Sequence, residues 1–166
     1  FDVTPYLKKS GKQTLLVKVQ DSTDNGFQPR GKQCLINRSI WYTPVSGIWQ
    51  TVWLEPVAPA HVNNYYVVSD IDNGTLDFEV DAQTADGDLV KVALLEGGVG
   101  YSAEKPSQVV LSEAVVEDGK AQIKVSDVKT WSPDSPYLYG VRVWIERDGK
   151  TVDSVEAWGF DFGGAN

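Results

Sequence analysis

Four large aromatic side chains, Trp41, Tyr42, Trp49 and Trp53, fall within thirteen residues of one another, close to Arg30, Gln33 and Asn37. Aromatic rings offer flat apolar faces, while Arg, Gln and Asn offer hydrogen-bonding groups at fixed angles. A carbohydrate needs both, a surface for its C–H face and partners for its hydroxyls. The competing explanation is packing, with the same rings filling a β-sheet core. Trp53 lies in a segment with strand character and reads as a packing or interface residue. Arg30, Gln33, Trp41, Tyr42 and Trp49 stand as candidate ligand contacts, because loops on β-scaffolds usually carry such groups.

Other chemistries find little support. The single Cys34 excludes an internal disulfide and a Cys-based zinc site, and the single His61 argues equally against a His-rich metal centre. Neither a metal nor a cofactor is expected. His61 has no partner legible in the sequence that would make it the base of a nucleophilic triad. The acids Asp77, Glu79 and Asp81 alternate along one segment, the pattern of a solvated sheet face. Fifteen Lys and Arg against twenty-three Asp and Glu give a formal charge of -8, with no basic run of the kind that phosphate contacts require. A nucleic-acid partner is therefore not expected. Neither is a membrane span, since no apolar stretch approaches the roughly 18 to 20 residues needed. Hydrophobic residues at 42% are enough to build a core.

The elements that would position these groups are strands. Asp-Gly recurs at 86–87, 118–119 and 148–149, and this pair suits hairpin turns because both residues tolerate positive φ. Leu76, Phe78, Val80 and Ala82 alternate with polar residues, as do Ala121, Ile123 and Val125, and then Tyr139, Val141, Val143 and Ile145. Period-two alternation places one face in a core and the other toward water. Seven such segments follow one another at 62–69, 74–83, 89–96, 108–116, 120–126, 137–146 and 151–158. Seven short antiparallel strands in about 100 residues predict an all-β, immunoglobulin-like seven-stranded sandwich over 61–160, without the Cys pair of antibody domains. Residues 130–136, with two prolines, read as a crossover. Trp144 shares a polar strand face with Arg142 and Glu146. It is either an interface residue or a ring lying over an Arg stem.

The leading residues differ. Strands are expected over 13–20 and 50–57, separated by about thirty loop-like residues, with Pro56 and Pro59 in a stiff linker. Two strands and a long loop cannot close both faces of a sheet, so this part is expected to be marginal alone and prone to self-association. The chain has no Met, opens on Phe1 and shows no secretion signal. It reads as part of something longer.

Three stretches resemble glycoside hydrolase family 2, the β-galactosidases, β-glucuronidases and β-mannosidases. Phe1-Asp2-Val3-Thr4-Pro5-Tyr6-Leu7 with Leu15-Leu16-Val17-Lys18-Val19 is similar to late strands of the family's N-terminal sugar-binding jelly-roll. Ile40-Trp41-Tyr42-Thr43-Pro44-Val45-Ser46-Gly47-Ile48-Trp49, running on to Glu55, resembles the end of that jelly-roll. Trp131-Ser132-Pro133, Ser135-Pro136-Tyr137-Leu138-Tyr139 and Val155-Glu156-Ala157-Trp158-Gly159-Phe160 resemble the close of the family's immunoglobulin-like second domain. Two departures stand out. Asp161-Phe162-Gly163-Gly164 follows where the family normally continues through an Arg into its catalytic barrel, and no acid precedes Ser46-Gly47-Ile48 in 37–40, where some β-galactosidases place a ligand carboxylate.

The resemblance implies a partial jelly-roll over 1–58 and an immunoglobulin-like domain over 61–160. A retaining glycosidase needs two carboxyl groups about 5 to 5.5 Å apart. In the family these are barrel glutamates, one typically following Asn, and this chain holds no Asn-Glu pair. No catalytic residue is expected in it. The implied role is non-catalytic: positioning the barrel in cis and shaping the rim of a pocket for β-linked glycans, in a periplasmic or secreted parent, although a cytoplasmic one also fits. The alternative is a freestanding carbohydrate-binding or adhesion module. Which sugar is cleaved is a matter for barrel loops outside these residues.

Overall fold

The computed structural model describes residues 1–99 and 109–162. The chain divides into two units, Phe1–Glu55 and Pro56–Asn166. Among the described residues the second contains seven strands, β1 (His61–Asp70), β2 (Thr75–Gln83), β3 (Leu89–Val99), β4 (Val110–Val115), β5 (Lys120–Lys124), β6 (Tyr137–Arg147) and β7 (Lys150–Phe160). They form two antiparallel sheets, ordered β1-β2-β5 and β4-β3-β6-β7, the layers of a β-sandwich. All seven expected segments are strands, within a few residues at each end. The expected start of the fourth, residue 108, and the Gly163-Gly164 pair lie outside the described residues.

Alternation explains the core. Leu76, Phe78 and Val80 of β2 point inward with Ile123 of β5, and they meet Val92 and Leu94 of β3 and Val141, Val143 and Ile145 of β6. Each such side chain, fully buried, stabilises the fold by about 1.5–3 kcal/mol before chain entropy is counted. At one end Tyr139 packs edge-on against Tyr137 and Phe162, with ring centroids 4.9 and 5.4 Å away. Its hydroxyl accepts a hydrogen bond from the Lys129 N–H at 2.8 Å, which ties down the strand-free crossover before β6. Burial raises the Tyr139 pKa above the ordinary phenol value. At β1, the Val62 N–H donates to Asp153 Oδ2 of β7 at 2.9 Å, joining the two sheets.

The four-stranded sheet carries a small apolar cluster on its outer face as well. Ala93, Leu95 and Trp144 are buried there with Trp158 packed on them. The Arg142 guanidinium lies 5.0 Å from the Trp144 ring, and Lys91 and Glu146 form an ion pair of 3.0 Å on the same face. Trp144 itself is 7% exposed.

The Asp-Gly turns correct one expectation. Asp148 and Gly149 take positive φ and close a true hairpin between β6 and β7. Asp118 and Gly119 take positive φ too, yet β4 and β5 belong to different sheets, and only the Glu117–Lys120 bridge forms across the turn. Gly87 likewise lies between β2 and β3, on different sheets. A tight turn reverses the chain and does not decide which sheet receives the next strand.

The first unit departs further. No strand forms over 13–20 or 50–57; the unit holds one 3-10 turn, Thr4–Tyr6, and one isolated bridge between Gln33 and Tyr42. None of its residues is buried. Alternating side chains favour a strand only when a neighbouring backbone accepts from its N–H groups and donates to its C=O groups, and a layer covers its apolar face. Neither is present within this unit, so Leu15, Val17, Val19, Val52 and Leu54 remain exposed.

Candidate functional site

The loop of the first unit is held by its own polar side chains. The Tyr42 N–H donates to the Lys32 carbonyl at 2.8 Å and the Cys34 N–H to the Tyr42 carbonyl at 3.2 Å, which sets Gln33 beside Tyr42. Gln33 Oε1 then accepts from the Val45 N–H at 2.9 Å, holding the start of the Ser46-Gly47-Ile48 turn. Gly47 has φ +136°, a conformation that side chains with a Cβ rarely adopt, so the turn depends on glycine there. Ser46 Oγ donates to Asp21 Oδ2 at 3.3 Å, bridging 25 residues of sequence.

These contacts enclose an open cavity of about 520 Å³, walled by Asp21, Arg30, Gln33, Ser46, Ile48 and Trp49 among others. Arg30 Nη1 lies 3.6 Å from Asp24 Oδ2 and donates to the Asp24 carbonyl at 3.2 Å, so its guanidinium is aimed and partly neutralised. Asp24 Oδ2 also accepts from the Leu35 N–H at 3.3 Å. Of the five candidate contacts, Arg30, Gln33 and Trp49 wall this cavity and Trp41 and Tyr42 do not. Asn37 is occupied elsewhere, donating from Nδ2 to Thr43 Oγ1 at 3.0 Å. Trp53 is 71% exposed and outside the cavity, while Trp144 belongs to the second unit. Asp21 and Ser46 were missed as wall residues. Ser46 sat in a recognised turn, but only folding brings Asp21 to it.

The cavity walls bring several kinds of polar group to one ring. They offer a ring face, amide and guanidinium donors, and one carboxylate acceptor, the needs of a polyhydroxylated ligand. A general acid working near neutrality needs a raised pKa. Asp2, Asp70 and Asp88 are held below the ordinary range, first by hydrogen bonds from Thr4, Asn73 and Arg147 respectively. All three serve turns or strand ends and none lies in the cavity walls. Among the described residues no group of three or more His, Cys, Asp or Glu is placed to hold a metal ion.

Comparison with known proteins places the chain. Residues 60–160 match the family model described as Glycosyl hydrolases family 2. A β-galactosidase of Thermoanaerobacter pseudethanolicus is 25% identical over 157 residues, covering 93% of this chain and 20% of that protein. A β-galactosidase of Bacteroides ovatus is 28% identical, covering 92% and 18% respectively. A putative β-glucuronidase of Formosa agariphila is 29% identical, covering 98% and 14%. The chain thus spans a fifth or less of these relatives' length. Among solved structures, the β-glucuronidase of Ruminococcus gnavus aligns with a TM-score of 0.46 at 20% identity, over 60% of this chain and 15% of that one.

Proposed function

Because this chain belongs to glycosyl hydrolase family 2, we propose that it is the non-catalytic β-domain region of a glycosidase acting on β-linked glycans. The observation that carries this reading is coverage: the match runs along 92–98% of this chain yet takes up only 14–20% of each relative. In this reading residues 1–58 are the end of a sugar-binding jelly-roll and residues 61–160 an immunoglobulin-like domain, a label the three-plus-four strand order supports. Bond cleavage is supplied by another part of the parent, which this region positions. The cavity of Arg30, Gln33 and Trp49 supplies a glycan contact at the pocket rim. In this reading the parent is periplasmic or secreted, although a cytoplasmic one also fits. As a separate matter, among the described residues no helix is long and apolar enough to cross a membrane.

A freestanding carbohydrate-binding module is the second reading. It is favoured by the cavity walls, all of which come from the first unit. Two measurements separate the outcomes. The purified chain should not turn over nitrophenyl β-galactoside, β-glucuronide or β-mannoside, and turnover would overturn the non-catalytic assignment. Titration with mono- and oligosaccharides, followed by Trp fluorescence, should give millimolar affinity at best, about -4 kcal/mol. Trp49→Ala and Arg30→Ala should weaken it. Micromolar binding through the same residues would favour the freestanding module.

A further inference from the structure

The outer face of the three-stranded sheet holds an exposed ring among polar groups. In the β1–β2 register Tyr66 faces Glu79 and Asn64 faces Asp81, and in the β2–β5 register Glu79 faces Lys120. Cross-strand partners have Cβ atoms about 4.5–5.5 Å apart, so Tyr66, Glu79 and Lys120 form one row and Asn64 and Asp81 lie in the next. These five residues wall a cavity of about 370 Å³ that lies wholly within the second unit. Tyr66 is 65% exposed, unlike the rings on the opposite sheet, which cover one another.

The groups around the ring have bonding capacity to spare. Asn64 Oδ1 accepts from the Tyr65 N–H at 2.9 Å, and among the described residues its Nδ2, the Tyr66 hydroxyl and the Asp81 carboxylate have no hydrogen-bond partner. The Glu79–Lys120 pair is loose, at 3.9 Å, with both side chains about 70% exposed. An apolar protein surface docking here would strip water from three charged groups without replacing their hydrogen bonds, a net cost. Sugar hydroxyls donate to carboxylates and accept from amide and ammonium groups while a C–H face covers the ring. Two carboxylates against one ammonium disfavour an anionic sugar.

We propose that Tyr66, with Asn64, Glu79, Asp81 and Lys120, forms a second binding site for neutral oligosaccharides on the sandwich. It shares no residue with the cavity of the first unit, so the two readings stand or fall separately. The experiment is a heteronuclear NMR titration of the full chain with neutral β-linked gluco-, manno- and galacto-configured tetrasaccharides, using an oligouronate of equal length as the anionic control. At least one neutral ligand should bind saturably with a Kd of order 1 mM, shifting the Tyr66 and Lys120 amide signals. Tyr66→Ala should weaken that binding about tenfold and Asp81→Ala several-fold, while Trp49→Ala leaves these shifts unchanged. The oligouronate should bind at least tenfold more weakly. Near-UV circular dichroism would confirm that the variants fold, and Asp81→Ala keeps the test intact if Tyr66→Ala does not. The proposal is overturned by no saturable shift at these residues with any neutral ligand, by binding that survives both variants, or by equal affinity for the oligouronate. Shifts confined to the first unit would leave only the cavity reading standing.

Discussion

Arg147 and Asp88 tie the end of β6 to the loop before β3. Arg147 donates from Nε to Asp88 Oδ1 at 2.6 Å and from Nη2 to Oδ2 at 2.9 Å, while the Ala85 N–H donates to Oδ2 at 2.8 Å. The Arg147 bonds come first in holding the Asp88 pKa below the ordinary carboxylate value, followed by the Ala85 N–H. A pKa lowered by folding gives stability that is complete above the unfolded value, about 4, and is lost as pH falls through the lower folded value. Melting temperature followed from pH 6 to pH 2 should therefore drop less steeply in Asp88→Asn, which should also melt lower than the parent at pH 6. A residual slope is expected from Asp70, held low by Asn73; identical slopes would rule out the Asp88 contribution. This pair was not legible in the sequence, because 59 residues separate its members. Gly97 was equally silent. A Cβ there would lie 1.5 Å from the Leu138 carbonyl oxygen, whereas one at the adjacent Gly98 would meet nothing within 4 Å. Backbone has to move in the first case, so Gly97→Ala should destabilise by about 3 kcal/mol or more and Gly98→Ala by less than about 1. Urea denaturation of the two variants compares them directly, and equal losses would mean that β3 shifts freely.

Among the elements, β6 is covered on both of its faces, as is β3. Val141, Val143 and Ile145 face the sandwich core, and Trp144 faces the outer cluster with Ala93, Leu95 and Trp158. Gly140 makes room for that cluster: a Cβ on it would meet Trp158 ring carbons at 2.4–2.7 Å. Trp144→Ala should cost about 3–5 kcal/mol, the range for removing a buried large aromatic side chain. Trp53→Ala, at an exposed site, should stay within about 0.5 kcal/mol. Chemical denaturation checks both, and a small loss at Trp144 would mean the outer cluster adds little to the fold. The seven strands were legible because alternation is local and each strand has an apolar face to declare. The sheet to which each belongs was not. The turns at 118–119 and 148–149 share Asp-Gly and positive φ, yet one crosses between sheets and the other closes a hairpin. The choice rests on which apolar face the next strand must cover. For the candidate cavity, the turn at Ser46-Gly47-Ile48 was visible as a motif, but the inclusion of Trp49 without Trp41 and Tyr42 followed from a loop path that alternation cannot report.

At the scale of the molecule, the two units differ in what they bury. The main core draws its members from Ala60 to Phe162, whereas no side chain of the first unit is buried. That unit instead exposes Leu15, Leu16, Val17, Trp49, Val52, Trp53 and Leu54. Exposed apolar groups at this density recruit other surfaces, and backbone groups without ladder partners template pairing between chains. The same residues gave the alternation that predicted strands over 13–20 and 50–57, so their strand tendency becomes available when a second chain supplies the missing neighbour. Repulsion from a net charge of -8 opposes association and weakens as salt screens it. Sedimentation velocity should therefore show the full chain associating as concentration rises, more strongly at about 0.5 M salt than at 0.05 M, where the screening length changes several-fold. A chain beginning at Pro56 carries the complete sandwich core and should sediment as a monomer under both conditions, with cooperative unfolding. If the full chain remains monomeric at the highest concentration and salt, the exposed apolar groups of the first unit do not recruit a second copy. If the shortened chain associates as strongly as the full one, the contact belongs to the sandwich instead, and the exposed strip of Tyr66 and Val68 on β1 is the surface to alter next.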